Sequence, residues 1–274
     1  METLLTDFPK AEIIYVQKND SIHQIAAEKA LIHRYVIACG GDGTVNRVAN
    51  ALVGTSAILG VIPLGSGNDF VKNIGLVKDV HHNIRILKEN RVQNIDVIQS
   101  DWGCFLNTFG IGIDGLINYY AAKSRFKNGS MRYFVSGLKA LCTERPFEVT
   151  IEFKKLTSGV IKRRVWMVAV ANGKTEGGKY TISPGSSITD GKAELIVVKD
   201  VGRLRLVLEF LKLSMGYSFN PKVTNVYSIE EGLKIIPAKT VKAHADGEQV
   251  KDYSEFNFRV LKNELPVVYN AQNE

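Results

Sequence analysis

Two glycine-rich loops, each following a short apolar segment, constrain the fold of this chain more than any other feature of its sequence. The apolar segments are residues 35–38 (YVIA) and 58–62 (ILGVI), and the loops after them are residues 40–44 (GGDGT) and 63–69 (PLGSGND). Behind the first loop, apolar residues recur at the spacing of one helix face: Val45, Val48, Ala49 and Leu52. This alternation of strands and helices predicts a mostly parallel sheet with both loops at the edge where such folds bind ligands.

The preceding residues add a strand and a helix to this unit. Residues 11–16 (AEIIYV) are predicted as a strand. Ser21 and Gln24 have the spacing of a capping box, and apolar residues follow them at helical spacing. We therefore expect an α/β domain that spans residues 1–100.

Beyond residue 100, closely spaced segments rich in β-branched and aromatic residues replace the alternation. The predicted strands are residues 147–153, 163–171, 193–198, 222–229, 233–236, 241–245 and 256–260. Amphipathic helices are predicted at residues 132–143 and 204–215. This spacing favours an antiparallel sandwich or barrel over residues 101–260, and we expect the tail 261–274 to pack back on the first domain. The cleft between the two domains is the expected active site.

The composition is that of a globular protein with a basic surface. Of 274 residues, 45% are hydrophobic and 23% are charged, and 35 Lys and Arg against 28 Asp and Glu give a net charge of +7. Such a surface favours acidic partners, which include nucleotides, nucleic acid and anionic lipid.

No window of ~18 uninterrupted apolar residues is present, so the sequence predicts no transmembrane helix. The first residues lack the features of a signal peptide, and Cys39, Cys104 and Cys142 lack metal-ligand spacing, so we expect a cytosolic protein with buried thiols.

The first glycine loop has the composition of a phosphate-binding site. A glycine loop between a strand and a helix brings backbone N–H groups and the positive end of the helix to one point. Gly40, Gly41 and Gly43 allow close approach of the backbone to an anion. Asp42 would repel a phosphate unless a Mg²⁺ ion or a hydroxyl to be deprotonated lies between them; alternatively, it only caps the helix. Neither loop contains a lysine, which excludes a Walker-type site.

The second loop repeats this arrangement. Ser66 is a potential donor to a phosphate, and Asn68 and Asp69 are placed to organise the loop or a water. A single loop of this kind is most often a structural turn, but two loops after neighbouring strands converge on one ligand. The pair therefore predicts a nucleotide-phosphate site.

A third polar segment, Asp246-Gly247-Glu248, follows the predicted strand 241–245. Its two carboxylates are candidates to face the cleft from the second domain, where one would act as general base toward an acceptor hydroxyl. Taken alone, the same three residues form an ordinary hairpin turn.

Together these segments resemble the diacylglycerol kinase catalytic-domain family of lipid kinases, which includes bacterial lipid kinases and the sphingosine kinases. The resembling segments are GGDGTVNRVANAL, IPLGSGNDFVKNIG, FLNTFGIGIDG (residues 105–115), residues 168–198 and HADGEQV. The resemblance implies an α/β nucleotide domain plus a β-sandwich domain. It also implies ATP- and Mg²⁺-dependent transfer of the γ-phosphoryl group to a lipid hydroxyl, diacylglycerol-like, within phospholipid metabolism. NAD kinases share the GGDGT loop but are less similar in the other segments.

The resemblance also implies roles for individual residues. The residues that match the phosphate-binding loop are Gly41, Asp42, Gly43, Thr44, Val45 and Asn46, directly after Gly40. Ser66 matches a hydroxyl residue that contacts ATP, with Gly67 and Asn68 beside it. Glu248 matches the residue usually assigned as proton acceptor, with Asp246 next to it. Asp42 is the alternative base or a metal organiser, and Asp69 is a further candidate catalytic carboxylate.

A structural Mg²⁺ site is also implied. Ser187, Asp190 and Lys192 match three positions that hold this ion in bacterial members, where only the middle residue uses its side chain. The lysine would bind the ion through its backbone carbonyl, which does not depend on residue type. Without the resemblance, Asp190-Gly191 is a plain turn before a strand.

The sequence departs from the family at several positions. Members begin with a strand and an Asn-Pro-x-Ser-Gly-type loop that helps to hold the nucleotide, whereas this sequence opens in the helix after them, so we expect an N-terminally shortened domain with altered nucleotide affinity. Arg47 stands where glutamate is common, and Tyr15 where a threonine is common. Two alternatives stay open: a soluble-substrate kinase of the NAD-kinase type, and a non-catalytic nucleotide- or lipid-binding relative.

Two further segments are candidates for membrane contact. A basic stretch comprises Lys123, Arg125, Lys127, Arg132 and Lys139. It fits either an anionic membrane surface or a solvated helix face, and the helix 204–215 fits either core packing or membrane contact. We expect peripheral association with the inner membrane surface and no nucleic-acid binding, because no nucleic-acid-binding module is recognised. The oligomeric state stays open, a dimer included.

Overall fold

The computed structural model describes residues 6–126, 128–154, 159–251 and 253–271. Strands and helices alternate in its first part: α1 (Ile22–Ala30), β1 (Tyr35–Gly40), α2 (Asp42–Leu52), β2 (Ile58–Pro63), α3 (Asp69–Asn73), α4 (Val80–Glu89) and β3 (Val92–Ser100). β1 and β2 pair in parallel, with Tyr35 opposite Ile58 and Gly40 opposite Pro63. The two glycine loops therefore leave the sheet side by side at the same edge.

Side chains fix the start of several helices in this part. The Ser21 hydroxyl accepts a hydrogen bond from the Gln24 N–H at the start of α1, and the Asp79 carboxylate accepts one from the His82 N–H at the start of α4. At the start of α2, by contrast, Gly41 has no side chain to cap the first turn. The positive end of α2 therefore lies directly behind the first glycine loop.

The second part is mainly antiparallel, as the sequence predicts. Its elements are β4 (Gly103–Phe105), β5 (Thr108–Gly112), α5 (Ile113–Ala122), α6 (Gly129–Thr143), β6 (Phe147–Phe153), β7 (Val160–Ala171), β8 (Thr175–Glu176), β9 (Tyr180–Thr181), β10 (Ala193–Lys199), α7 (Arg203–Ser214), β11 (Thr224–Ile229), β12 (Gly232–Pro237), β13 (Ala243–Ala245), β14 (Glu248–Val250) and β15 (Phe256–Val268). β7 pairs antiparallel with β5, β6 and β10. The predicted fold class, an α/β domain followed by a mainly antiparallel β domain, is confirmed.

Strand β15 joins the two parts of the fold. It pairs antiparallel with β3 from Phe258 to Val268, its first half also pairs with β12, and its second half meets β2 at Val267, opposite Leu59. The strand was expected to end at residue 260, and the structure extends it to Val268. A register shift between Leu261 and Leu265 accommodates Asn263, which has a positive φ of 56°.

One predicted element is wrong. Residues 11–16 do not form a strand, although most of their side chains are apolar. Ile14, Tyr15 and Val16 are exposed, so the segment has no core to cover. β1 pairs only with β2 among the described residues, so residues 11–16 do not add to the sheet.

The core is split between the two parts. One buried cluster packs α2 and α4 against β1 and β2, and includes Leu52 and Leu59. A second lies between the strands of the β domain and contains Phe105, Phe109 and Phe256. A third buried cluster, which includes Trp166 and Phe210, lies beneath α6 and α7.

Candidate active site

The two glycine loops contact each other through their backbones. A Cβ atom added to Gly65 would lie 2.6 Å from the Gly41 Cα, and one added to Gly41 would lie 3.2 Å from the Gly65 Cα. The Leu64 N–H donates to the Gly40 carbonyl at 2.8 Å, which continues the pairing of β1 and β2 into the loops. This close approach requires glycine at position 65 and leaves little room for a side chain at position 41, so the two backbones adjoin at the sheet edge.

Asp42 connects the first loop to the second. Its Oδ2 accepts a hydrogen bond from the Asn68 N–H and its Oδ1 accepts one from the Asp69 N–H, both at 2.8 Å. Burial, and then the neighbouring Asp69 carboxylate, raise the pKa of Asp42, while these N–H donors act in the opposite direction. The side chain thus caps α3 of the neighbouring loop.

Asp69 connects the second loop to the β domain. Its carboxylate accepts the Gly178 N–H at 3.0 Å and the ammonium of Lys72 at 2.9 Å. The same ammonium donates to the Gly178 carbonyl at 2.6 Å. Asp69 therefore holds the segment after β8 against the second glycine loop.

Asp246 lies in the turn between β13 and β14, with a positive φ of 47°. Its Oδ1 accepts the N–H groups of Asn107 and Thr108, and its Oδ2 accepts the Leu106 N–H and the Asn46 side-chain amide, all within 3.0 Å. Burial raises the pKa of Asp246, and these hydrogen bonds lower it. With four donors on two oxygens, this carboxylate fixes the hairpin in place.

Glu248 is the carboxylate of the hairpin that remains accessible to the cleft. Its side chain is 49% exposed, and its Oε1 lies 2.6 Å from the Arg47 guanidinium. A Cβ atom added to Gly43 would lie 2.6 Å from the same oxygen, so glycine at this position leaves room for the carboxylate beside the first loop.

The structure brings half of the predicted site residues to one cleft of about 350 Å³, which is open to solvent. The predicted residues that line it are Gly41, Asp42, Gly43, Ser66, Gly67, Asp69, Asp246 and Glu248. Others lie behind its wall: Val45 is buried in the core, Thr44 packs beneath Gly40, and Asn46 and Asn68 hold Asp246 and the second loop by hydrogen bonds.

Arg132 lines the cleft, a location that the sequence analysis did not predict. It was grouped with a basic surface stretch, but it lines the cleft opposite the glycine loops, and its buried Nε has no hydrogen-bond partner among the described residues. Of the other residues in that stretch, Lys123 and Lys139 lie 4.1 Å from the ring centres of Tyr119 and Tyr120, and Lys127 lies outside the described residues.

Ser187, Asp190 and Lys192 do not line the cleft. They lie in the loop before β10, where the exposed Asp190 carboxylate accepts the Lys192 N–H at 3.1 Å. The buried Asp96 carboxylate holds this loop by accepting the Gly191 N–H at 2.6 Å. An exposed carboxylate in a loop of fixed backbone fits the predicted magnesium site, which stays a prediction.

An apolar cavity of about 60 Å³ lies on the other side of the cleft wall, beneath α6 and α7. Its lining consists mainly of aliphatic and aromatic side chains: Ile113, Ile117, Leu141, Met167, Tyr180, Ile182, Val198, Leu206, Phe210, Leu213 and Phe219. Tyr133, Glu176 and Gly177 line both the cavity and the cleft.

Three buried polar residues at this boundary were missed by the sequence analysis: Asp114, Glu176 and His244. Burial, and then the Asp114 carboxylate, raise the pKa of Glu176 to about 7. Burial alone would lower the pKa of His244, but the two carboxylates raise it well above its ordinary value. The only signal in the sequence is a carboxylate within the apolar run IGIDG.

Comparisons with known proteins find a matching family model for each of the two parts of this chain. The model of the family described as "Diacylglycerol kinase catalytic domain" matches residues 1–100, and that of the "YegS C-terminal NAD kinase beta sandwich-like domain" matches residues 107–268. The chain is 30% identical to a diacylglycerol kinase of Mycobacterium tuberculosis over 213 residues, 75% of this chain and 68% of that protein. It is 29% identical to a diacylglycerol kinase of Bacillus subtilis over 236 residues, 84% of this chain and 76% of that protein.

Solved structures agree on the fold. A diacylglycerol kinase from Bacillus anthracis superposes with a TM-score of 0.77 at 22% identity, covering 99% of this chain and 89% of that chain. An NAD kinase from Archaeoglobus fulgidus, solved in complex with ATP, superposes with a TM-score of 0.53 at 14% identity, covering 99% and 90%. No helix among the described residues is long and apolar enough to span a bilayer. Matches to both domains and relatives along most of its length show that this chain belongs to the diacylglycerol kinase catalytic-domain family of lipid kinases.

Proposed function

We propose that this protein is an ATP- and Mg²⁺-dependent lipid kinase that transfers the γ-phosphoryl group of ATP to the hydroxyl of a diacylglycerol-like lipid. The observation that supports this proposal best is the common wall of the cleft and the apolar cavity. Tyr133, Glu176 and Gly177 line both spaces, so an acceptor with its chains in the cavity has its polar end at the glycine loops. Such an acceptor combines apolar chains with a hydroxyl, as diacylglycerol does.

The cleft offers the nucleotide phosphates several favourable contacts. The adjoining backbones of Gly41 and Gly65 permit close approach, and the positive end of α2 points toward the first loop. Ser66 is exposed at the cleft, and the unpartnered Nε of Arg132 is available to a phosphate oxygen. Mg²⁺, when bound to the phosphates, neutralises their charge and that of the γ-phosphoryl group as it transfers.

Glu248 is the general base in this proposal. The acceptor oxygen forms a bond to the γ-phosphorus, the bond from that phosphorus to the β–γ bridging oxygen breaks, and the acceptor proton passes to the Glu248 carboxylate. Asp42 and Asp246 are less suited to accept this proton, because each already accepts backbone N–H groups on both oxygens. Their contribution is to hold the loops and the hairpin in register.

The outer faces of α6 and α7 supply a surface for peripheral contact with the inner surface of the cytoplasmic membrane. Met131, Leu204, Leu208 and Met215 are exposed there, whereas Leu206 and Leu213 of the same region line the cavity. Exposed apolar side chains above an apolar cavity give a lipid a short route from the bilayer to the cleft. The positive charge of the chain favours an anionic lipid surface.

Transfer of labelled phosphate from Mg·ATP to a panel of lipids in mixed micelles tests the proposal. We expect label on a glyceride with a free hydroxyl, and a loss of about 10²-fold or more in Glu248→Gln. The matched control is Glu89→Gln, at the exposed end of α4 and outside the cleft. Label on a soluble acceptor but on no lipid would support the NAD-kinase type instead, and ATP binding without transfer would support a non-catalytic relative.

A further inference from the structure

Asp114, Glu176 and His244 form a buried cluster that the phosphoryl transfer does not use. They come from three separate elements: the first turn of α5, the end of β8 and the middle of β13. His244 Nε2 lies 2.9 Å from Glu176 Oε1 and 3.3 Å from Asp114 Oδ2. The candidate ligand atoms of all three lie within 4.8 Å of one another.

These short separations are not aligned hydrogen bonds. Asp114 Oδ2 and both ring nitrogens of His244 are buried without a hydrogen-bond partner among the described residues. The ring nitrogen is therefore close to two carboxylate oxygens, but neither oxygen lies along its N–H direction. Buried polar atoms without partners are costly, so their retention at one point indicates a group that they bind together.

The two separations from His244 Nε2 match the edges of a metal coordination polyhedron. Bonds of about 2.1 Å from a divalent metal to nitrogen and oxygen place neighbouring ligand atoms about 2.9 to 3.4 Å apart, for angles between octahedral and tetrahedral. The observed 2.9 Å and 3.3 Å lie within this range.

The surroundings of the cluster are arranged to keep these atoms in place. Gly110 is opposite His244 in the pairing of β5 and β13, and a Cβ atom there would overlap the Asp114 carboxylate. The Thr108 hydroxyl donates to Glu176 Oε2 at 3.2 Å, which leaves Oε1 facing the imidazole. Carboxylate ligands are commonly oriented by such an outer hydrogen bond.

Charge favours a cation at this point. The carboxylates of Asp114 and Glu176 are the charged groups that contact the His244 ring, so two carboxylates face one imidazole. A bound divalent cation would offset this surplus of negative charge in a buried position.

We propose that Asp114, Glu176 and His244 form a binding site for a first-row divalent transition metal, of which Zn²⁺ and Mn²⁺ are the test cases. An imidazole nitrogen with two carboxylates suits these ions, whereas Mg²⁺ and Ca²⁺ prefer ligand sets of oxygen alone. Three protein ligands leave at least one coordination position for a water or a ligand oxygen at the boundary between cavity and cleft. The site is separate from the predicted magnesium loop, and its metal binding does not depend on the proposed kinase activity.

Equilibrium dialysis of the chelator-stripped full chain against Zn²⁺, Mn²⁺ or Mg²⁺ tests the site, with bound metal measured by mass spectrometry. We expect one equivalent of Zn²⁺ or Mn²⁺, and an affinity at least about 10-fold lower in His244→Gln and Asp114→Asn. Asp190→Asn and Glu248→Gln, which alter the predicted magnesium loop and the proposed base, should retain the metal. Wild-type protein that binds no more Zn²⁺ or Mn²⁺ than His244→Gln would overturn the proposal.

A second measurement on the wild-type chain avoids any doubt over the folding of the variants. Co²⁺ added to the stripped protein should produce visible absorption bands of a bound ion, and Zn²⁺ should abolish them by competition. Nitrogen NMR of the His244 ring should show one metal-bound nitrogen at saturation. A ring that keeps protons on both nitrogens at saturating Zn²⁺ would show an imidazolium held by two carboxylates, and would contradict the proposal.

Discussion

The guanidinium of Arg47 and the carboxylate of Glu248 form an ion pair between α2 and the β13–β14 hairpin, with 2.6 Å between Nη2 and Oε1. Arg47 lies on α2, and Glu248 is the first residue of β14. The side chains are 48% and 49% exposed, so solvent screens their attraction. Arg47, which stands where the family commonly has glutamate, thus contacts the proposed base. It orients this carboxylate and contributes little to the stability of the fold.

Arg47→Gln and Glu248→Gln should therefore differ strongly in activity. Exposed ion pairs contribute about 0.2–1 kcal/mol, so the loss of the arginine should change kcat by no more than roughly 5-fold. Loss of the base should lower kcat by about 10²-fold or more. Initial rates of phosphate transfer to a diglyceride at saturating Mg·ATP measure both. Equal losses in the two variants would show that Arg47 itself contacts the reacting groups.

Substitution of Asp42 or Asp246 should lower the free energy of unfolding, whereas substitution of Glu248 should leave it nearly unchanged. Substitution of either by asparagine places an amide NH₂ against a backbone N–H that now has an acceptor, which costs about 1–3 kcal/mol. Asparagine tolerates the positive φ of Asp246, so the loss there reports the hydrogen bonds alone. Urea unfolding measures the free energy of unfolding.

The control for this comparison is Asp200→Asn, which removes an exposed carboxylate 3.3 Å from Arg164. It should change the free energy of unfolding by less than about 1 kcal/mol, as should Glu248→Gln. An Asp42→Asn protein as stable as Asp200→Asn would contradict the structural role given to Asp42 and restore it as a candidate base.

Local patterns were sufficient to predict that the two glycine loops lie side by side and form one side of the cleft. Each glycine loop lies between a strand and a helix that periodicity reveals, and parallel neighbours place both loops at one edge. The Asp246–Glu248 turn was open to two interpretations, and the structure satisfies both: it is a hairpin turn, and it faces the cleft.

The remaining features depend on long-range pairing that no local pattern reveals. His244 meets Asp114 only because β13 pairs with β5, which is more than 130 residues earlier in the chain. The second half of β15 contains Asn263 and Pro266, residues that disfavour strands, and a register shift allows them there. The strand predicted at residues 11–16 is absent for the opposite reason. Its composition is typical of a strand, but the segment has no pairing partner among the described residues.

Arg132 should contribute to nucleotide binding. It lines the cleft, and its buried Nε lacks a partner among the described residues, so a phosphate oxygen would satisfy it. Arg132→Gln should raise the KM for ATP by about 10-fold or more, because a hydrogen bond to a charged group contributes about 1.5–3 kcal/mol. The KM for the lipid acceptor should stay within about 2-fold. Arg125→Gln, outside the cleft lining, is the control, and an equal effect of both would indicate a general charge effect.

The apolar cavity should determine the fit of the acceptor chains. Leu213 lines it from α7, and Leu213→Trp would fill part of the space. We expect a rise of about 10-fold or more in the KM for a long-chain diglyceride, since each buried CH₂ contributes about 0.8 kcal/mol. Leu208→Trp, on the exposed face of the same helix, should leave this KM unchanged in micelles. If neither variant changes the KM for the acceptor, the chains bind elsewhere.

The three cysteines should react at different rates, in an order set by their surroundings. Burial raises the pKa of the Cys104 thiol to about 11, so at pH 8 roughly one thiol in a thousand is the reactive thiolate. Cys39 on β1 and Cys142 on α6 are exposed, against the expectation of buried thiols, although partial burial of the Cys39 thiol raises its pKa. Alkylation by iodoacetamide, followed by peptide mass spectrometry, should modify Cys142 first and Cys104 last.

Between pH 8 and pH 10 the rate at Cys104 should rise about 100-fold, because the thiolate fraction grows tenfold per pH unit below the pKa. Equal rates at Cys104 and Cys142 in the folded protein would show that the strand Gly103–Phe105 opens readily to solvent.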